Sequence, residues 1–97
     1  MIKNAVINMV KKDRIFTLRE LAVIFYVSQH QKPENRQTKS IAESLNMSRP
    51  AVSRATKALK KRGLMTILPL PDDARTAVIS LTRLGQTLVT RIEKGFE

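Results

Sequence analysis

Six cations, Arg49, Arg54, Lys57, Lys60, Lys61 and Arg62, fall between Asn46 and Arg62 with no acid among them. Guanidinium and ammonium groups gathered in this way can hold phosphate oxygens, and an arginine can also meet the O6 and N7 of a guanine through two parallel hydrogen bonds. The rest of the chain offers little chemistry. There is no Cys and a single His, His30, so thiolate chemistry and Cys/His metal cages are not expected, and the eight carboxylates are scattered. No Ser, His and acid set can be drawn from these residues. No catalytic residue, metal ligand or cofactor is therefore expected, and His30 is read as a surface or half-buried ring.

The wider charge balance points the same way. Eighteen Lys and Arg against eight Asp and Glu give +10 over 97 residues, which favours a polyanion, either nucleic acid or an anionic membrane surface. No apolar run approaches the roughly 20 residues needed to span a bilayer. Met1 to Lys12 also lacks the apolar core and cleavage site of a signal peptide, so the expected location is the cytoplasm, with no membrane partner.

The cations need a scaffold, and the residues around them predict one. From Thr38 to Lys57, Ile41, Leu45, Met47, Val52 and Ala55 are apolar where two helices crossing at a tight turn must touch. Ala42 is small where the helices come closest, and Asn46 stands at the turn, where a residue tolerant of positive φ is wanted. This is a helix-turn-helix with a strongly basic second helix. With Val52, Ala55 and Leu59 as its buried stripe, the opposite face carries Pro50, Arg54, Lys57 and Lys61, flanked by Ser53 and Lys60. Arg54 is the first candidate to read a base, with Ser53 and Arg49 behind it. Lys57 and Lys61 would track the backbone. Thr38, Lys39 and Lys60 are candidate phosphate contacts, although Lys60, Lys61 and Arg62 also suit the last turn of any helix, where the dipole favours cations.

Ninety-seven residues make one small domain, mainly α with a small β-hairpin. An amphipathic helix is expected over 1–13, with Ile2, Ala5, Val6, Met9 and Val10 on one face. Thr17-Leu18-Arg19-Glu20 reads as a capping box opening a core helix over 17–31, and its apolar residues Leu18, Leu21, Ala22, Ile24, Phe25 and Val27 suit a helix packed on two sides. Lys32 to Gln37 is expected to be a loop. The helix-turn-helix covers 38–63, with Thr38 and Ser48 as N-caps, Pro50 in the first turn of the second helix and Gly63 as its stop. A hairpin, or wing, follows over 64–82, with strands at Leu64–Leu68 and Ala77–Leu81 and a turn over Pro69–Ala74. Thr82 should cap a last helix over 83–95, whose first turn Gly85 weakens. Near the hairpin tip, Arg75 is placed to enter a minor groove, with Asp72 and Asp73 as nearby acids.

From Thr17 to Val89 these residues resemble the MarR family of bacterial winged-helix regulators. Thr17-Leu18-Arg19-Glu20-Leu21, Ile41-Ala42-Glu43-Ser44-Leu45, Ser48, Ala51-Val52-Ser53-Arg54 and Arg62-Gly63-Leu64 follow its helix-turn-helix. Pro71-Asp72-Asp73-Ala74-Arg75, Val78, Ser80-Leu81-Thr82 and Gly85 are similar to its wing and the start of the next helix. The resemblance implies Ser53 and Arg54 at the major groove and Arg75 at the minor groove, and Ser48 and Pro50, at the start of the recognition helix, are further candidate DNA contacts. It differs at Ala74, where such wings often carry another cation. It differs again at the end of the chain, where typical members continue through further helices that build a dimer interface and a ligand pocket. Dimer contacts are accordingly expected from the first and last helices, around Val6, Met9, Val10, Leu88 and Ile92. No residue cluster in the sequence supports small-molecule sensing.

The sequence therefore predicts a winged helix-turn-helix protein that binds double-stranded DNA and regulates transcription as a homodimer on an inverted repeat. RNA polymerase or another regulator would be its further protein partner. Two alternatives remain: an architectural or recombination-associated DNA-binding protein of a mobile element, and a winged-helix module that modulates another regulator by protein contact.

Overall fold

The structure, a computed structural model, describes residues 2–11, 15–70 and 73–95, with side chains described at all of these but 2, 5, 70 and 73–76. Their order is α1 (Ile2–Lys11), α2 (Leu18–Gln29), a 3-10 segment (Pro33–Arg36), α3 (Thr38–Leu45), α4 (Arg49–Lys61), β1 (Met65–Leu70), β2 (Asp73–Leu81) and α5 (Arg83–Glu93).

Hydroxyl caps set three of the helix starts. The Thr17 hydroxyl accepts from the Glu20 amide at 3.0 Å while Glu20 Oε1 accepts from the Thr17 amide at 2.7 Å, a complete capping box. Ser48 Oγ accepts from the Ala51 amide at 3.1 Å, and Thr82 Oγ1 from the Gly85 amide at 3.0 Å. Thr38 does not act this way. It is the first residue inside α3, and the cap position belongs to Gln37, which makes no side-chain cap bond. The reason is tertiary: Gln37 is held extended by an isolated antiparallel bridge to Val78 of β2 and takes the cap position, so α3 begins at Thr38, one residue earlier than a Thr38 cap would place it. The segment before it is likewise not an open loop but the 3-10 turn Pro33–Arg36, tied to β2 by Arg36 Nη1 donating to Ser80 Oγ at 3.1 Å.

α2 is the central helix and packs on α3, α4, α5 and β2. Val23 and Ile24 are fully buried there, while Leu18, in its first turn, is 83% exposed and takes no part in the core. α1 lies on α5 and buries Met9. Met9, Leu88 and Ile92 are all within the chain's own core, so of the residues expected at a dimer contact only Val6 and Val10 are exposed, with Ile7 beside them.

The wing is longer than the strand-prone runs suggest. β1 and β2 pair antiparallel from Met65↔Leu81 through Pro69↔Ala77 to Leu70↔Asp73, with a bulge between Pro69 and Leu70. Proline has no amide to donate, and at one strand of a two-stranded ribbon that loss is tolerated, so the ladder runs on where a turn is expected. Pro71 and Asp72 lie outside the described residues. Residues Met65 and Ile79 turn into the core and fix the base of the hairpin.

The base is also where α4, the wing and α5 meet. Gly63 ends α4 with φ 77°, the Thr82 hydroxyl donates to the Gly63 carbonyl at 2.6 Å, and the Thr82 amide donates to the Leu64 carbonyl at 3.0 Å. Gly85, expected only to weaken its helix, has a positive reason to be there: a Cβ at this position would overlap the Leu64 carbonyl oxygen. Among the described residues, no helix is long and apolar enough to cross a membrane.

Because the obstacle at Gly85 is backbone, Gly85→Ala should destabilise the fold by about 1–3 kcal/mol, the usual range for overpacking. Thermal unfolding followed by circular dichroism should show a clearly lower midpoint. An unchanged midpoint would mean that α5 does not begin against Leu64.

Candidate nucleic-acid interface

The candidate surface is built by splitting α4 into two faces. Ala51, Val52, Ala55, Thr56 and Leu59 are buried, and Val52 and Leu59 are fully so. The Thr56 hydroxyl, inside this stripe, donates to the Ser53 carbonyl at 3.1 Å and so is not left unpaired. Arg49, Pro50, Arg54, Lys57, Lys60 and Lys61 are exposed, as is Ser48 at the cap, and Ser53 is half-buried at the edge. The cations therefore project from a helix whose other side is immobilised by packing.

The turn before α4 sets its crossing with α3. Asn46 is the one non-glycine residue with positive φ among the described residues, at φ 52° and ψ 46°. Its amide and that of Met47 close α3 by donating to the carbonyls of Glu43, at 3.4 Å, and Ala42, at 2.9 Å. Met47 packs half-buried against the core below the turn, and Ile41 and Ala42 bury the inner face of α3. A short polar side chain at Asn46 tolerates this backbone where most residues do not.

Two grooves run along the flanks of α4. The first, of about 470 Å³, is lined by Gln37, Thr38, Lys39, Arg49, Pro50, Ser53 and Ala77, so it is walled by α3, α4 and β2. This brings together Thr38, Lys39, Arg49, Pro50 and Ser53. The second, of about 310 Å³, lies between the start of α2 and α4 and is lined by Thr17, Arg19, Glu20, Ala51, Arg54 and Ala55. Arg54 thus stands apart from Arg49 and Ser53, at the other groove. Lys57, Lys60 and Lys61 line neither and continue the exposed face along the helix. Arg75 belongs to β2, and its side chain lies outside the described residues.

Arg62, the sixth cation of the cluster, is turned away to a structural task. Its Nη1 donates to the Ile15 carbonyl at 2.8 Å and its guanidinium sits 3.9 Å from the centre of the Phe16 ring. Sequence reading does not single out Arg19, Gln37 or Ala77 as groove-lining residues. They reach the grooves through folding of distant segments onto α4, and nothing local marks them except the capping box that fixes where α2 starts.

Elsewhere, a polar groove of about 460 Å³ between the end of α2 and α5 shares no residue with these two and includes His30, Arg36, Gln86 and Glu93. His30 is half-buried, stacked on Tyr26 with ring centroids 3.9 Å apart, and its Nδ1 lies 2.7 Å from the Tyr26 carbonyl oxygen. No group of three or more His, Cys, Asp or Glu side chains suited to a metal ion occurs among the described residues.

A profile of the MarR family matches residues 16–77, which takes in α2, the helix-turn-helix and the start of the wing's return strand. Among solved structures, a mutant of S. aureus MepR bound to an oligodeoxyribonucleotide superposes with a TM-score of 0.83 at 24% identity, over 97% of this chain and 66% of that one. The S. aureus MepR–DNA complex gives 0.80 at 24% identity, over 97% of this chain and 73% of that one. YusO from Bacillus subtilis gives 0.78 at 21% identity, over 98% and 64%. At these identities the likeness is one of fold, and the chain spans about two thirds of the length of these proteins. No curated protein matches it in sequence.

The positive φ at Asn46 supplies a test of the turn. Asn46→Val should cost about 1–2 kcal/mol, the penalty of placing a branched side chain in the left-handed region. Asn46→Gly should change stability far less in the same urea titration. Equal losses from the two would show that the side chain, not the backbone conformation, matters at this turn.

Proposed function

Because the chain belongs to the MarR family, we propose that it is a sequence-specific transcriptional regulator that binds double-stranded DNA with α4 in the major groove. One observation carries this reading: the exposed face of α4 carries Arg49, Arg54, Lys57, Lys60 and Lys61, while the opposite face is locked into the core. A rigid cationic helix about 10–12 Å across matches the width of the major groove of B-DNA.

Roles follow from reach. Arg54, Ser53 and Arg49 would meet base edges, with Ser48 and Pro50 at the end of α4 that would enter the groove. Lys57, Lys60 and Lys61 meet phosphates along the helix, and Thr38 and Lys39 meet them from the first groove. Arg75, from the wing, would reach an adjacent minor groove. Phosphate contacts supply affinity and register, and base contacts supply discrimination. The protein would act in the cytoplasm by occupying its site, and RNA polymerase or another regulator would be its protein partner.

We further propose a homodimer that reads an inverted repeat, with half-sites about one helical turn apart. Exposed Val6, Ile7 and Val10 on α1 support a two-fold contact through that helix, since they leave an apolar face uncovered. No part of this scheme requires a bound cofactor or a chemical step.

The division of labour on α4 can be measured by titrating labelled duplexes and following anisotropy. Arg54→Ala should cost about 1–3 kcal/mol on a preferred site and relax base preference at one position, whereas Lys57→Ala should weaken binding evenly across sequences. Equal losses from both variants on random DNA would contradict these roles.

A further inference from the structure

The two grooves beside α4 differ in the residues they hold. The first holds Thr38 and Lys39, the proposed phosphate contacts on that side. The second holds Arg19, an exposed cation at the start of α2. At 100° per residue, Arg49, Pro50 and Ser53 of the first groove and Ala51, Arg54 and Ala55 of the second centre about 150° apart around α4. The outward stripe of Pro50, Lys57 and Lys61 runs between them.

A duplex that receives α4 has the same arrangement. The major groove is bounded by the phosphates of two strands, one on each side of an inserted helix. A protein with cations on one flank only would meet one wall. Here Arg19 and Arg54 stand at the second flank, over a floor of two small side chains, Ala51 and Ala55, that leaves room for a phosphate. Glu20 also lines the groove, but its Oε1 is bound to the Thr17 amide in the capping box, and two guanidiniums against one carboxylate leave the groove cationic. The first turn of α2 is already capped by that box, so the attraction comes from the arginines rather than from free helix amides. The segment leading into α2 and Arg19 is held in place from the end of α4, through the bond of Arg62 to the Ile15 carbonyl and its stacking on Phe16.

We propose that Arg19 is a DNA-phosphate contact on the strand across the major groove from the one met by Thr38 and Lys39, so that α4 is clamped from both walls. This rests on the DNA-binding reading above. Arg54, in the same groove but on α4, is left free to reach base edges while Arg19 holds the backbone.

The test uses the full chain and duplex DNA, with affinity measured across a range of salt concentrations. Each phosphate neutralised contributes about 0.9 to the slope of log affinity against log salt. Arg19→Gln should therefore flatten the slope by about 0.9 and weaken binding about three- to tenfold near physiological salt. Arg19→Lys should keep most of the slope, since the charge remains, and Lys3→Gln, on the exposed side of α1, should leave it unchanged. Thermal unfolding of each variant separates lost contact from lost fold. If wild type binds with a steep slope and Arg19→Gln matches it, this inference fails while the DNA-binding reading stands. If wild type itself shows a slope near zero, both fall. On a preferred site, single neutral methylphosphonate linkages should lose their effect at one position in Arg19→Gln and at a position on the other strand in Lys39→Gln. Both positions on one strand would overturn the two-wall clamp.

Discussion

The burial of one side of α4 is the constraint from which the rest of the surface follows. Val52 and Leu59 have no solvent exposure, and Ala51, Ala55 and Thr56 fill the space beside them. Apolar burial of this kind is worth about 1.5–3 kcal/mol for each large aliphatic side chain. Rotating α4 would surrender that and bring cations into the core, where an unpaired charge is far more costly than any exposed ion pair is worth. The cationic face is thus held outward by the core and not by contacts among the cations, which would repel one another. Its rigidity is what makes a defined docking geometry attainable, because a helix free to roll would present no fixed register of side chains to a groove.

The second determinant is the junction below the wing. Gly63, Leu64, Thr82 and Gly85 are joined by short hydrogen bonds and by a contact too close for any side chain at Gly85. The end of α4, both strands and α5 are therefore positioned together. On the other side, Gln37 and Arg36 join the wing to the start of α3 through Val78 and Ser80. The wing is consequently attached at its base to both helices of the helix-turn-helix, and the first groove, which needs Ala77 on one wall and Lys39 on the other, exists because of that attachment.

These features divide by how far along the chain their causes lie. Thr17 with Glu20, Ser48, Thr82, Asn46 and Gly63 were legible because a cap or a left-handed residue acts within a few positions of itself. The buried stripe of α4 was legible because its helical period is strong. Thr38 was misassigned, since the bridge between Gln37 and Val78 spans more than forty positions and leaves no local mark. The 3-10 turn, tied to Ser80, and the need for Gly85, set by Leu64, were hidden for the same reason, whereas the length of the wing was hidden because Pro69 reads locally as a turn residue. Residue types and period were enough to find the cationic face of α4, but neither groove beside it could be drawn, because each takes its walls from distant segments. Leu18 shows the opposite limit: an apolar residue in a helical pattern that folding leaves in solvent.

The central claim is that this face reads DNA sequence. The most direct test is selection of binding sites from random duplex DNA by the purified chain at physiological salt, followed by sequencing. Enrichment of an inverted repeat with half-sites about one helical turn apart is the predicted result. Uniform, weak and salt-sensitive binding with no enriched sequence would contradict it, and would leave a protein that holds DNA without reading it.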